Sequence, residues 1–255
     1  MATFKDQAAG GRNEKTAWGC TAQQLPPDNE TIFRYNPVMP KWAKTVIAVL
    51  LLPCCAGAAI TLGRVLRASG NADTFWVSFL GGAACWWVVF LMLPKPMRLY
   101  VFGHELTHAL WTWLFLGRVK KFKAGAKGGH VVITKSNFLI VLAPYFFPLY
   151  AVLVIAAFAL GHLLWGWTRY LVWFHLLLGA AYAFHVSLTS HILQNRQSDI
   201  TREGYLFSAV IIFLGNITVL LLGIPMLTAR LTVLDTVSWW VLETGALLQR
   251  MGRLF

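Results

Sequence analysis

The chain of 255 residues is 57% hydrophobic and only 13% charged, with a mean hydropathy of +0.59, which excludes an ordinary soluble domain and points to an integral membrane protein. Its formal net charge of +12 resides in Lys and Arg gathered between apolar runs, so it reads as membrane-surface charge and gives no ground for a nucleic-acid partner. Four cysteines, Cys20, Cys54, Cys55 and Cys85, show no CxxC spacing; they indicate neither a disulfide framework nor a zinc knuckle and read as structural.

In chain order, residues 1–43 form a polar tail containing Pro26, Pro27, Pro37 and Pro40, with no apolar stretch before Lys44. No cleavable signal peptide is expected, and the tail reads as disordered or lying along the surface. Six apolar runs then follow, near 45–64, 74–94, 97–117, 138–160, 167–191 and 204–228. Each reaches the roughly 20 residues that cross a bilayer core. Pro94-Lys95-Pro96 separates the second run from the third, because proline breaks a continuous helix. Pro144 and Pro148 should kink the fourth run. The segment 229–255, interrupted by Asp235 and Glu243 and carrying Trp239 and Trp240, reads as an interfacial amphipathic helix. Trp42, Trp76, Trp165 and Trp167 at the ends of runs fit an interfacial aromatic belt.

The expected fold is an all-α integral membrane protein, with a six-helix core over 44–228, a short strand-like loop after the third helix and the interfacial C-terminal helix. Orientation is not set by charge. The loop after the third run holds six Lys/Arg, Arg34, Lys41 and Lys44 precede the first, and the crossings between them place the two clusters on opposite sides. Within that loop Gly128–Thr134, GGHVVIT, combines two glycines with β-branched residues and predicts a short strand. Both a plain connection and a functional edge fit it.

Chemistry concentrates in His104–His108, HELTH, inside an apolar stretch. Histidines four apart on a helix project from one face at the spacing that grips a single zinc ion. Glu105 is turned from His104 by about 100° and can reach a water without becoming a ligand. The bland alternative is that these groups pair with neighbouring helices. A charge near the bilayer centre costs at least about 2.5–3.5 kcal/mol, which weighs towards use. A catalytic zinc takes a third protein ligand, and the candidates are His130, His162, His175, His185, His191, Asp199 and Glu203. Four of these, His185, His191, Asp199 and Glu203, gather just before the sixth run.

HELTH in a membrane helix, a glycine-containing strand-like loop after it and an acid far downstream resemble the site-2 protease family of intramembrane zinc metalloproteases, over residues 74–228. The resemblance implies Zn2+ held by His104, His108 and Asp199, with Glu105 as general base. It also implies a multi-pass protein of a bacterial inner membrane, acting on membrane protein substrates within the lipid bilayer. The family's aspartate sits in an Asn-Pro and Asp-Gly context, whereas QNRQSDI has Asn195 without that proline or glycine. Glu203 and His191 therefore stay open as the third ligand.

In this reading zinc lowers the pKa of its water towards ~7 and Glu105 accepts the proton as the peptide carbonyl is attacked. A transmembrane substrate must first unwind, and pairing with Gly128, Gly129 and His130 on the strand edge could hold it extended. Asn216, an amide within the sixth run, serves either packing or the site. Two other functions are open: an inactive relative that binds membrane helices, and a zinc transporter.

Overall fold

The computed structural model describes residues 20–24, 39–125 and 128–253. In chain order the elements are β1 (Cys20–Gln24), α1 (Lys41–Ala68), α2 (Asp73–Met92), α3 (Met97–Leu114), β2 (Val119–Gly125), β3 (Gly128–Ile133), α4 (Phe138–Leu142), α5 (Leu149–Trp165), α6 (Leu171–Leu193), α7 (Ser198–Glu203), α8 (Tyr205–Thr228) and α9 (Val233–Gly252). A 3₁₀ turn, Ala143–Tyr145, follows α4, and another, Trp167–Tyr170, leads into α6.

Among the described residues, four helices are long and apolar enough to cross a membrane: Lys41–Ala68, Asp73–Met92, Trp167–Leu193 and Tyr205–Thr228. Phe138–Tyr145 with Leu149–Trp165 makes a fifth crossing if the pair, bent by 81°, counts as one broken span. The six crossings expected from sequence are thus four or five. The third run forms a helix of 18 residues, about 27 Å long, and Arg98, His104, Glu105 and His108 dilute its apolar character. The fourth run is broken where Pro144 and Pro148 interrupt it, since proline cannot continue the helical hydrogen-bond ladder.

These helices turn apolar side chains outward. On α2, Val77, Leu91 and Met92 are 72, 76 and 77% exposed, a surface that water would disfavour and hydrocarbon would cover, and one compatible with a membrane protein.

The bundle is held by close backbone approach. A Cβ on Gly82 of α2 would lie 1.8 Å from the Leu176 carbonyl oxygen of α6, and one on Gly179 of α6 would lie 1.9 Å from the Phe79 carbonyl oxygen of α2. Small residues on both sides let the two helices meet without intervening side chains, the packing that serves where lipid removes the hydrophobic drive. α9 opens with a capping box between Thr232 and Asp235 and packs against α1 and α8. Gly57 faces Thr244, Trp240 Nε1 donates to the Cys54 carbonyl at 3.0 Å, and Arg64 pairs with Glu243 at 2.6 Å.

β3 is the centre of a three-stranded sheet of order β1-β3-β2. β3 is the short strand that GGHVVIT predicts, and it pairs antiparallel with β2. The other edge of β3 is covered by β1 in parallel. Residues 20–24 of the N-terminal tail, read from sequence as disordered or surface-lying, thus contribute a strand to the sheet, and residues 1–19 and 25–38 of that tail lie outside the described residues. Val131 and Ile133 anchor β3 against Ala109 of α3 and Ile140 of α4, which sets the sheet beside the HELTH helix.

Candidate metal centre

α3 begins after the Pro94-Lys95-Pro96 break and buries one side. Gly103, His104, Glu105, Thr107, His108 and Thr112 face inward, while Phe102, Leu110, Trp113 and Leu114 face out. The two threonines return their hydroxyls to their own helix, Thr107 to the Gly103 carbonyl and Thr112 to the His108 carbonyl, each at 2.8 Å. They therefore do not compete for the imidazoles or the carboxylate.

The rings of His104 and His108 lie with centroids 5.0 Å apart. α7 brings Asp199 to them: its Oδ2 is 3.7 Å from His104 Nε2 and 3.6 Å from His108 Nε2. These distances are too long for hydrogen bonds. They lie near the separation of about 3.3–3.6 Å between ligand atoms placed tetrahedrally around one zinc-sized ion. The buried His104, His108 and Asp199 group can hold a metal ion, and it is the one such group among the described residues.

Two further observations fit that use. Nε2 of both histidines is buried with no hydrogen-bond partner in the protein, an arrangement that costs free energy unless a ligand compensates it. His108 Nδ1 lies 2.8 Å from the Ile140 carbonyl oxygen. A carbonyl only accepts, so Nδ1 carries the proton and Nε2 presents its lone pair, the orientation that metal-binding histidines take from such a partner. Ile140 is held in turn by Asn137, whose Oδ1 accepts from the Ile140 amide at 2.8 Å.

Burial pushes the Asp199 carboxyl up, but the His104 and His108 imidazoles outweigh it and hold the group below the usual carboxylate range when they carry protons on the facing nitrogens, and a cation in the place of those protons would act in the same sense. It stays ionised, as a ligand must. Its position in the first turn of α7 also sets it near the positive end of aligned peptide dipoles. Tyr145 donates its hydroxyl to the same Oδ2 at 3.3 Å, and its ring stands edge-on to His104 with centroids 5.2 Å apart.

Glu105 is fully buried and lies against β3. A Cβ on Gly129 would come within 2.7 Å of Glu105 Cγ and 2.9 Å of its Oε1. Glycine at 129 is what lets the strand close on this carboxylate. Of the other residues expected to contact substrate, Gly128 begins β3 with φ +130°, and His130 is half-buried between its register partners Lys123 and Thr21. Asn216 donates Nδ2 to the carbonyls of Tyr145 at 3.1 Å and Ile212 at 2.9 Å. It braces the turn that carries Tyr145, one side chain removed from Asp199.

The two alternative ligands lie elsewhere. Glu203 makes a buried ion pair with Lys44, which ties α7 to the start of α1. His191 stands edge-on to Phe90 near the end of α6, with centroids 6.5 Å apart. His175 packs edge-on against Phe75 and His162 lies parallel to Phe158. His185 joins His104, Tyr100, Thr107 and Phe184 around a cavity of about 20 Å³, room for roughly one water.

Sequence reasoning missed Tyr145, the Ile140 carbonyl and Lys44. Tyr145 had one visible signal, the flanking prolines of LAPYFFPLY that turn the chain back toward α3. No local signal marks a backbone carbonyl, or a lysine whose partner is 159 residues away. Comparison of the chain with protein-family models, curated proteins and solved structures gives no match.

Proposed function

We propose that this protein is a zinc-dependent intramembrane endopeptidase of the site-2 protease type, hydrolysing peptide bonds in membrane-embedded or membrane-proximal segments of other proteins. The observation that carries this reading is the approach of Asp199 Oδ2, on α7, to His104 Nε2 at 3.7 Å and His108 Nε2 at 3.6 Å, beside the turn of α3 that presents Glu105 to an extended strand. Three ligands leave a position open for chemistry, the pattern of catalytic rather than structural zinc. A bound zinc supplies Lewis-acid polarisation of a water and of the scissile carbonyl.

The remaining steps belong to the chain. Glu105, held by β3 and shielded from bulk water, accepts a proton from the attacking water as the carbon–oxygen bond forms. It then delivers that proton to the departing nitrogen as the carbon–nitrogen bond breaks, so the products are a carboxyl and an amine. Tyr145 and the Ile140 carbonyl orient Asp199 and His108. The sheet provides backbone partners for a substrate that has left its helical form, since an unwound segment needs its amides satisfied away from water.

Metal content and turnover, measured together, test the proposal. The protein purified in detergent should retain about one zinc per chain as wild type and as Glu105→Gln. Wild type should cut members of a panel of co-reconstituted single-span proteins that the variant leaves intact. Zinc uptake into proteoliposomes without any cleavage would favour a transporter instead. Zinc retention with no cleavage by wild type would favour a helix-binding role.

A further inference from the structure

The edge of β3 beside the metal group, which in the peptidase reading is the slot for an extended substrate, already carries polypeptide. β1 pairs with β3 in unbroken parallel register from Cys20 opposite Gly129 to Gln24 opposite Ile133. It also lies against α3 and α7, the helices that supply His104, His108 and Asp199. Cys20 is abreast of Gly129, the residue packed on Glu105, and adjacent strands lie about 4.8 Å apart. The Cys20 end of the β1 backbone is therefore the part of the strand nearest the carboxylate assigned as the base.

β2 takes the opposite edge of β3. Among the described residues, β3 keeps no edge for a second extended peptide. Strand addition uses main-chain hydrogen bonds along one edge, and β1 already makes that pairing. Residues 25–40 separate β1 from α1 in the sequence, so β1 competes for this edge as part of the same chain.

We propose that residues 20–24 are a built-in occupant of the substrate slot, so that a polypeptide from outside enters only by displacing β1 from β3. The N-terminal segment then regulates access to the centre. This rests on the peptidase reading for the meaning of the slot, whereas the pairing of β1 with β3 does not.

The test reads binding without turnover, in chains carrying Glu105→Gln. The probe is a fluorescein-labelled peptide of residues 16–28, TAWGCTAQQLPPD, kept reduced and followed by anisotropy. Three chains are compared: the full chain, the full chain with Ala22→Pro and Gln23→Pro, and a chain starting at Met39. Adjacent prolines remove amide donors from both edges of the strand, so the ladder fails whichever amide faces β3. The proline variant and the shortened chain should bind the probe at least tenfold more tightly than the full chain. If the shortened chain does not fold, the proline variant alone decides. A smaller difference, or no saturable binding to the proline variant, overturns the proposal. Hydrolysis is absent from this readout, so a failure of the peptidase reading would appear as missing cleavage by wild type and leave the probe affinities as expected.

Discussion

His108 donates from Nδ1 to the Ile140 carbonyl at 2.8 Å, and this one contact turns its Nε2 toward Asp199. It links the HELTH helix to α4, whose first turn is capped by Asn137. Replacing Asn137 with alanine removes the cap, at a cost of about 1 kcal/mol, and loosens the carbonyl that fixes the imidazole. We expect a lower melting temperature and zinc affinity reduced roughly 10-fold, as for other groups that orient metal ligands. Competition with a zinc chelator measures the affinity; wild-type affinity in Asn137→Ala would separate the cap from the centre.

Gly129→Ala tests the proposed role of Glu105 separately from metal binding. A methyl at this position meets Glu105 Cγ at 2.7 Å and the Lys123 carbonyl oxygen at 2.8 Å, so Gly129→Ala must displace either the carboxylate or the strand. His104, His108 and Asp199 are untouched. Zinc content should stay at the wild-type level while cleavage falls by roughly 100-fold, the penalty of an ångström-scale misplacement of a reacting group. Parallel zinc analysis and cleavage assays read the two effects, and loss of both together would contradict the placement of Glu105.

The legibility of this site follows the distance over which each part is specified. HELTH was readable because both histidines and Glu105 sit within five residues of one helix, where periodicity alone sets their directions. Asp199 was suggested by the scarcity of acids and by the family resemblance, and the structure brings it to the two histidines. Tyr145 reaches the site through a broken span, and the bend places its ring in a way that no pattern of hydropathy encodes. The expectation of six crossings counted apolar length, but the polar residues that make HELTH interesting also make α3 a poor crossing by composition. β1 was hidden because its pairing with β3 joins segments about a hundred positions apart, and five residues between polar and proline-rich stretches carry no strand signal strong enough to show it.

Lys44 and Glu203 are both buried and paired, which makes the ion pair a fastener for α7 and hence for Asp199. Removing one partner strands a buried charge, so Lys44→Met should cost about 3–5 kcal/mol, whereas Lys44→Met combined with Glu203→Leu should recover much of that loss. Thermal unfolding of the single and double variants in detergent measures the difference. A double variant no more stable than the single one would show that the pair does not act as a unit.

Adjacent glycines on α2 offer a local test of the bundle. Gly82 has no room for a Cβ, which would lie 1.8 Å from the Leu176 carbonyl oxygen, while Gly81 has nothing within 4 Å. Gly82→Ala should force α2 and α6 apart, costing about 1–3 kcal/mol. Gly81→Ala should be neutral or slightly stabilising, because alanine favours the helix. Unfolding temperatures of the two variants decide, and equal effects would contradict the close crossing.

The central claim is that His104, His108 and Asp199 hold a catalytic zinc whose chemistry Glu105 completes. Its most direct measurement is cleavage of a co-reconstituted single-span substrate protein, read by mass spectrometry, after the metal is stripped and then restored. The account predicts that stripping abolishes cleavage by wild type, that zinc restores it, and that zinc restores nothing to Asp199→Ala or Glu105→Gln. Cleavage that survives complete removal of the metal, or that Glu105→Gln performs at the wild-type rate, would contradict it.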